Sequence, residues 1–372
     1  MLEALERHPH ALAVLSPALV AGTPSHAYLF HGPGGAGKRT LAREFAARLL
    51  AQGAPDPAGA QARALAGVHP DLTWVVPSGA HEILVSDIDQ PVVAAATRTP
   101  FESARRVFVI ESAEQLGEEA ANRLLKTLEE PPSFVHLILI TNRLADVLAT
   151  IRSRCQVVRF DAPPVDVVAA ELVAAGASPA AADAYARLSL GDAGRARELA
   201  GPDGAELRER SIQLARQALS GRAGASAPWD ELLASVRARG ERVRSELEER
   251  SAAELELLPS RERKRAETEA GERARRTRRR VETGALELSL DLVEAWLLDL
   301  IALALGASDL VRNSDRLADL LADGTVGRGG DVSALRRAVE LVEDTRRRFQ
   351  LNVTEDLALA AMTYRLQQVL EG

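Results

Sequence analysis

The chain is poor in cysteine, in aromatic residues and in long apolar runs. Among its 372 residues Cys155 is the only cysteine, which excludes an intrachain disulfide and a zinc site built from several thiolates. Aromatic residues make up 3% of the sequence, too few for base stacking to be the main activity. The net charge of −7 gives no overall attraction to nucleic acid, so a DNA contact would require a local basic surface. With no run of about 18 apolar residues and no secretion signal, we expect a cytoplasmic protein without membrane contact.

The pattern of apolar residues changes near residue 163 and predicts more than one domain. Before it, short apolar runs alternate with helical patterns, which is typical of a parallel sheet flanked by helices. After Ala162-Pro163-Pro164 only helical patterns follow. We predict an α/β domain at 1–163, a small helical domain at 164–203 and an all-α domain at 204–372. The predicted strands are Ala27–His31, Leu72–Val76, Val107–Glu111, Val135–Thr141 and Gln156–Phe160, the predicted helices include Val85–Thr97 and Glu118–Glu130, and Gly53–Gly67 is predicted to be a loop with a loose helical turn.

A glycine-rich segment between the first predicted strand and a helix has the pattern of a phosphate-binding loop. Its glycines let backbone N–H groups surround phosphate oxygens, and Lys38 adds a positive charge. The next residue should carry a hydroxyl that ligates Mg²⁺, but it is Arg39. Either Thr40 supplies the hydroxyl, or the site no longer supports metal-assisted phosphoryl transfer. The candidate nucleotide-binding residues here are Gly32, Gly34, Gly35, Gly37, Lys38, Arg39 and Thr40.

A second candidate position lies at the end of the apolar run Val107–Ile110. P-loop ATPases place a metal-binding acid and a water-activating acid at such a strand end. Here Glu111 is followed by Ser112, whose alcohol cannot act as a base near neutral pH. We interpret Ser112 as a helix cap and expect that this chain does not hydrolyse ATP.

The segment Thr150–Cys155 contains two arginines close to the last predicted strand. An arginine near a subunit boundary can stabilise the charge of phosphoryl transfer in a neighbouring molecule, and Arg154 is our candidate for that role. Cys155 follows it without a neighbouring His or Lys, so we interpret it as a small buried residue rather than a nucleophile.

Several segments together resemble the clamp-loader branch of the AAA+ ATPases. The resemblance rests on Asn122–Pro132 (NRLLKTLEEPP), Thr141-Asn142, Ser153-Arg154-Cys155 and, less specifically, His69-Pro70-Asp71. It covers the motifs of residues 1–200 and only the architecture of the rest. The fold it implies is an N-terminal P-loop AAA+ domain, a helical lid at 164–203 and a C-terminal helical collar at 204–372. Asn142 then joins the candidate nucleotide-binding residues.

The resemblance also implies a function. A loader opens a ring-shaped sliding clamp and places it on primer–template DNA, driven by ATP in its motor subunits. A stator subunit completes the ring and offers the arginine of its SRC segment, here Arg154, to the ATP of the adjacent subunit. The implied partners are loader subunits of the gamma/tau and delta types, the clamp and DNA in a hetero-oligomer. Two alternatives stay open: an ATP-hydrolysing motor subunit that uses Thr40 and Glu111, and a switch that binds ATP or ADP without hydrolysis.

The sequence departs from the family pattern at four places. Gln52–Val68 contains none of the four cysteines of the usual zinc module, so we expect no zinc and no required cofactor. In the lid, Arg195 lies one position away from where a phosphate-sensing arginine would align, and Ile88-Asp89 replaces an Ile-Arg pair that would face DNA. A charged insertion spans about 242–282, and within it Arg261–Arg280 has ten Arg or Lys against four Glu. By its pattern this stretch is a solvated helix or hairpin, or is partly disordered. It is either merely a solvated charged segment or a contact to DNA or an acidic partner through Arg273, Arg275, Arg276, Arg278, Arg279 and Arg280.

Overall fold

The computed structural model describes residues 8–20, 22–77, 82–256, 259–349 and 353–371. The chain divides into two compact units, Met1–Pro163 and Pro164–Gly372. The division falls inside the Ala162-Pro163-Pro164 segment, where each proline restricts the residue before it to extended conformations. The further boundary at residue 203 stays a prediction.

The first unit is a five-stranded parallel sheet with helices on both faces. The strand order is β2-β3-β4-β1-β5, and every neighbouring pair is parallel. In chain order its elements are α1 (Pro9–Val20), β1 (Ala27–His31), α2 (Lys38–Ala51), α3 (Pro57–Ala66), β2 (Leu72–Val75), α4 (Val85–Ile88), β3 (Arg106–Ile110), α5 (Glu118–Glu129), β4 (Val135–Thr141), α6 (Ala149–Arg152) and β5 (Gln156–Arg159).

The central strands are apolar on both faces because helices cover both. All seven residues of β4 are buried, and alternate side chains enter two different cores. One core packs the sheet against α1, α2 and α3, and the other packs it against α4, α5 and α6. All five predicted strands are present, and the predicted α/β class is confirmed.

Two local predictions in this unit are wrong. Residues 53–67 are not a loop, because Pro57–Ala66 form α3: the Asp56 carboxylate accepts the Gly59 N–H at 3.0 Å, and Pro57 stands at the first helical position, where its missing N–H costs nothing. The predicted continuous α-helix at Val85–Thr97 is interrupted, because Asp89–Ala94 adopt a π-helix. Pro91 lies inside this segment and cannot donate the i to i−4 hydrogen bond of an α-helix.

The second unit is entirely helical within the described residues, as predicted. Its larger core surrounds Trp296, and helices α7 to α9 share a smaller one. No helix in the described parts of the chain has both the length and the apolar character that a bilayer span requires. The helices are α7 (Val165–Ala174), α8 (Pro179–Leu188), α9 (Ala193–Ala200), α10 (Pro202–Leu219), α11 (Ala223–Ser226), α12 (Pro228–Glu256), α13 (Ser260–Ala304), α14 (Leu317–Asp323), α15 (Val332–Phe349) and α16 (Glu355–Leu370).

The charged insertion is a helical hairpin formed by α12 and α13. Gly240 allows the two helices to approach closely, because a Cβ there would lie 2.6 Å from Cγ of Glu282. Ion pairs also join the helices, for example between Arg278 and Glu241 at 3.0 Å. Of the structures left open for this stretch, the hairpin is the one observed in the described residues.

Candidate functional site

The candidate residues from three separate segments lie at one edge of the sheet. Strands β1, β3 and β4 are parallel, and at their carboxyl ends stand the glycine-rich loop, Glu111 and Asn142 respectively. Open parallel sheets bind their ligands at this edge. Thr141 is buried, whereas Asn142, the next residue, is exposed to solvent.

The glycine-rich loop has backbone conformations that require glycine. Gly35 and Gly37 have φ of 70° and 80°, and Gly37 directly precedes α2. Gly32 has φ of 146°, and a Cβ at this position would lie 2.2 Å from the carbonyl oxygen of Phe160. The loop therefore needs Gly32 for packing against Phe160, the residue that follows β5, as well as for any approach of phosphate.

The loop lysine is folded back onto its own loop. Lys38 is 3% exposed, and its Nζ donates hydrogen bonds to the carbonyl oxygens of Gly32 at 2.7 Å and Pro33 at 2.5 Å. These contacts satisfy part of the ammonium's hydrogen-bonding capacity within the protein. The ammonium therefore contacts the backbone of the same loop whose N–H groups would surround a phosphate group.

The residue that replaces the expected Ser or Thr contacts the acidic strand end. Arg39 Nε donates to Glu111 Oε1 at 2.8 Å, and Arg39 Nη2 lies 2.8 Å from Glu111 Oε2. This is a two-pronged guanidinium–carboxylate pair, the strongest geometry for such a contact. The Glu111 side chain is only 8% exposed, so Arg39 supplies the positive charge that a buried carboxylate requires.

A tryptophan completes the environment of Glu111. Trp74 Nε1 donates to Glu111 Oε1 at 2.5 Å, and the guanidinium of Arg43 lies 4.6 Å from the centre of the Trp74 ring. Neither Trp74 nor Arg43 was a candidate from the sequence. Trp74 lies in the adjacent strand β2, and only the sheet order reveals that β2 and β3 are neighbours.

These residues do not fit a catalytic Mg²⁺ site. Magnesium prefers oxygen ligands in octahedral geometry, but the Glu111 carboxylate is held by a guanidinium and an indole N–H. Thr40 is exposed, and the side chain that reaches Glu111 is that of Arg39. Ser112 has a left-handed φ of 55°, and its side chain does not cap the following 3₁₀ turn, so its interpretation as a helix cap is wrong. Its carbonyl oxygen instead accepts the Gln115 N–H at 2.8 Å.

The structure joins the two sequence segments that carry the most specific resemblance. Arg154 Nη2 lies 2.5 Å from Glu129 Oε1, and Glu129 belongs to the LEEPP segment at the end of α5. Arg154 Nη1 also donates to the carbonyl oxygen of Thr150 at 2.8 Å. The Arg154 side chain remains 35% exposed, so a part of the guanidinium is accessible from solvent. Sequence reasoning missed Glu129 because it lies 25 positions before Arg154.

Cys155 has the environment expected of a structural residue. It packs against the sheet core, and burial raises the pKa of its thiol to about 12. A thiol with that pKa is protonated at neutral pH and is a poor nucleophile. Its place beside Arg154 therefore reflects packing rather than chemistry.

The basic candidates of α13 are partly neutralised by carboxylates. Arg276 pairs with Glu272 at 3.2 Å, Arg278 with Glu282 at 2.8 Å, and Arg279 with Glu355 at 2.7 Å. Arg273 and Arg275 are exposed, and Arg280 is half-buried with a contact of its own. The positive surface on this helix is thus weaker than the local excess of ten basic residues over four acidic ones suggests.

Two further motif residues have internal partners. Arg195 Nη1 lies 2.6 Å from Asp291 Oδ2 within the second unit. In the His69-Pro70-Asp71 motif, the fully buried Asp71 carboxylate accepts the N–H groups of Phe101, Glu102 and Ser103. Asp71 of this motif therefore holds the loop before β3 in place.

Comparison with known proteins identifies relatives of the first unit. Residues 7–164 match the family described as DNA polymerase III, delta subunit. The chain is 41% identical over 137 residues to DNA polymerase III subunit delta' of Pseudomonas aeruginosa, a match that covers 35% of this chain and 42% of that protein. It is 33% identical over 178 residues to subunit delta' of Bacillus subtilis, covering 47% and 54% of the two chains.

A related subunit of the same polymerase also matches. The chain is 39% identical over 149 residues to DNA polymerase III subunit gamma/tau of Mycobacterium bovis, covering 39% of this chain and 26% of that protein. The chain thus spans about half, or less, of the length of these relatives. The comparisons thus show that residues 7–164 are similar to DNA polymerase III subunits of the delta-prime type, and the chain also resembles a gamma/tau subunit over part of its length.

Proposed function

We propose that this chain is the delta-prime, or stator, subunit of a DNA polymerase III clamp loader and that it does not hydrolyse ATP itself. The observation that carries this proposal is the Arg39–Glu111 pair, which takes up the carboxylate that a catalytic metal would need. Ser112 adds a second defect, because it replaces the carboxylate that would activate water.

We further propose that Arg154 acts in trans on ATP held by an adjacent loader subunit. Its guanidinium is anchored at the surface by Glu129 and the Thr150 carbonyl, while its charge remains partly exposed. A partly exposed pair of this kind stabilises the structure by only about 0.2–1 kcal/mol, so exchanging Glu129 for a phosphate oxygen costs little. Arg154 can therefore be prepositioned without being trapped.

The proposed partners follow from this role. They are loader subunits of the gamma/tau and delta types, the sliding clamp and primer–template DNA, in a cytoplasmic hetero-oligomer. No cofactor is required by the chain itself. Contact of DNA with α13 would rest on Arg273 and Arg275, since Arg276, Arg278 and Arg279 have carboxylate partners.

Two observations favour a second candidate, an ATP-hydrolysing motor subunit. The glycine-rich loop and Lys38 are intact, and a gamma/tau subunit is 39% identical over 149 residues. A third candidate is a switch that binds ATP or ADP without hydrolysis. Hydrolysis by the isolated chain separates the motor from the stator.

The test is ATP hydrolysis by a loader reconstituted from this chain and its cognate subunits, with clamp and primed DNA present. Arg154→Ala should lower the rate about tenfold or more, because a missing arginine finger leaves transition-state charge uncompensated. Arg154→Lys should restore little, since an ammonium lacks the planar fork. Arg152→Ala, two positions away with the same change of charge, is the matched control.

Assembly must be measured alongside the rate. Size-exclusion chromatography of the Arg154→Ala loader should show an intact complex. If the isolated wild-type chain hydrolyses ATP, or if Arg154→Ala and Arg152→Ala loaders are equally active, the stator role is refuted.

A further inference from the structure

The Glu111 carboxylate is enclosed by protein donors at the place where a P-loop enzyme would bind a divalent cation. Arg39 contacts both of its oxygens at 2.8 Å, and the Trp74 indole donates to Oε1 at 2.5 Å. The Glu111 side chain is 8% exposed, so water reaches little of the carboxylate. A metal ion could ligate Glu111 only after the guanidinium had left.

The chain geometry places Arg39 beside Glu111, although the Arg39 side chain itself is 69% exposed. Arg39 lies in the first turn of α2, directly after Lys38, and α2 is rigidly packed through Leu41, Ala42 and Phe45, which are fully buried. The helix backbone therefore holds Arg39 at a position from which its guanidinium reaches Glu111. Removing it would leave a nearly buried carboxylate without a counter-charge, which is strongly unfavourable.

We infer that the Arg39 guanidinium is a built-in replacement for the divalent cation, so that this site has no Mg²⁺ position and takes nucleotide phosphate independently of metal. The guanidinium carries one positive charge where the Mg²⁺ ion of a P-loop enzyme carries two. It is also fixed to the protein, whereas Mg²⁺ arrives with the nucleotide. The inference deepens the proposed loss of hydrolysis at this site, but it does not depend on Arg154.

The experiment measures ADP binding by isothermal titration calorimetry to the full chain, once in Mg²⁺ and once in EDTA. For the wild type we expect the two titrations to agree within about twofold. Arg39→Thr restores a hydroxyl after Lys38 and uncovers Glu111, and it should bind ADP about tenfold or more tightly in Mg²⁺ than in EDTA. The double variant Arg39→Thr/Glu111→Gln should lose this dependence, because an amide is a weaker magnesium ligand than a carboxylate.

Two controls keep the test decisive. Arg48→Thr removes an arginine from the same helix nine positions beyond Arg39, and it should remain independent of Mg²⁺. Circular dichroism checks that each variant is folded, and electron paramagnetic resonance with Mn²⁺ alone counts bound metal without nucleotide. Arg39→Thr should bind Mn²⁺ more tightly than the wild type.

Three results would overturn the inference. The first is a wild-type chain that binds no ADP in either buffer, and the second is a tenfold dependence of wild-type ADP binding on Mg²⁺. The third is a folded Arg39→Thr chain that gains neither Mg²⁺-dependent ADP binding nor Mn²⁺. Failure of the Arg154→Ala test in the reconstituted loader would refute the stator role but leave these metal measurements unaffected.

Discussion

The Asp71 carboxylate offers a sharp test of how the first unit is held together. It is fully buried, its Oδ1 accepts the Phe101 N–H at 2.6 Å, and its Oδ2 accepts the N–H groups of Glu102 and Ser103 at 2.9 and 3.0 Å. These bonds fasten the loop that leads into β3, the strand that ends at Glu111. Asp71→Asn keeps the size of the side chain but replaces one acceptor oxygen by a donor.

The expected loss follows from the hydrogen-bond inventory. If the remaining amide oxygen takes the Oδ2 position, two bonds survive in a weaker, uncharged form, and the Phe101 N–H faces an NH₂ group. Losing one charge-assisted bond and opposing two donors should destabilise this region by about 2–4 kcal/mol. A loss of about 2 kcal/mol corresponds to a roughly 30-fold rise in local opening.

Hydrogen exchange of the full chain, followed by mass spectrometry, measures that opening directly. Peptides that cover residues 101–110 should exchange about 30-fold faster or more in Asp71→Asn. Asp56→Asn is the matched control, because Asp56 is an exposed helix cap and asparagine caps helices equally well. If the two variants protect residues 101–110 equally, the carboxylate does not fasten this loop and the reasoning fails.

Three further predictions follow from the first unit. Because burial raises the pKa of Cys155 to about 12 from the usual 9.0, iodoacetamide should alkylate it about a thousandfold more slowly at pH 8 than in the unfolded chain; equal rates would contradict this. Burial also lowers the pKa of His136 to about 4, below its unfolded value of 6.5, so its contribution to stability is complete above pH 6.5 and is lost as the pH falls towards 4. Between pH 7.5 and pH 5, the free energy of unfolding measured by chemical denaturation should therefore fall by about 2 kcal/mol less for His136→Gln than for the wild type. Parallel pH profiles of the two chains would refute the lowered pKa of His136. Gly32→Ala should destabilise by about 2–4 kcal/mol through strain and the clash with Phe160, whereas Gly22→Ala, which meets open space, should cost about 1 kcal/mol; equal losses would contradict this.

The sequence was most informative where a local pattern has one structural solution. The continuously apolar run at Val135–Thr141 can be satisfied by a strand covered on both faces, and it is the central strand of the sheet. The glycine-rich loop after β1 was likewise evident, because its backbone conformations require glycine at Gly35 and Gly37. The predictions failed at residues 53–67 and 89–94. In the first segment the cap at Asp56 starts a helix although the composition is typical of a loop, and in the second Pro91 interrupts a helical pattern.

The amino-acid sequence by itself determined the α/β class, the phosphate-binding loop and the two substitutions, Arg39 and Ser112, that argue against hydrolysis. These are properties of short segments, so periodicity and motif spacing are sufficient to find them. Only the tertiary structure decided that Arg39 pairs with Glu111 and that Arg154 pairs with Glu129, because the members of the first pair lie 72 positions apart and those of the second 25. Such contacts depend on the order of strands in the sheet and on where each helix ends, and no local pattern in the chain encodes them.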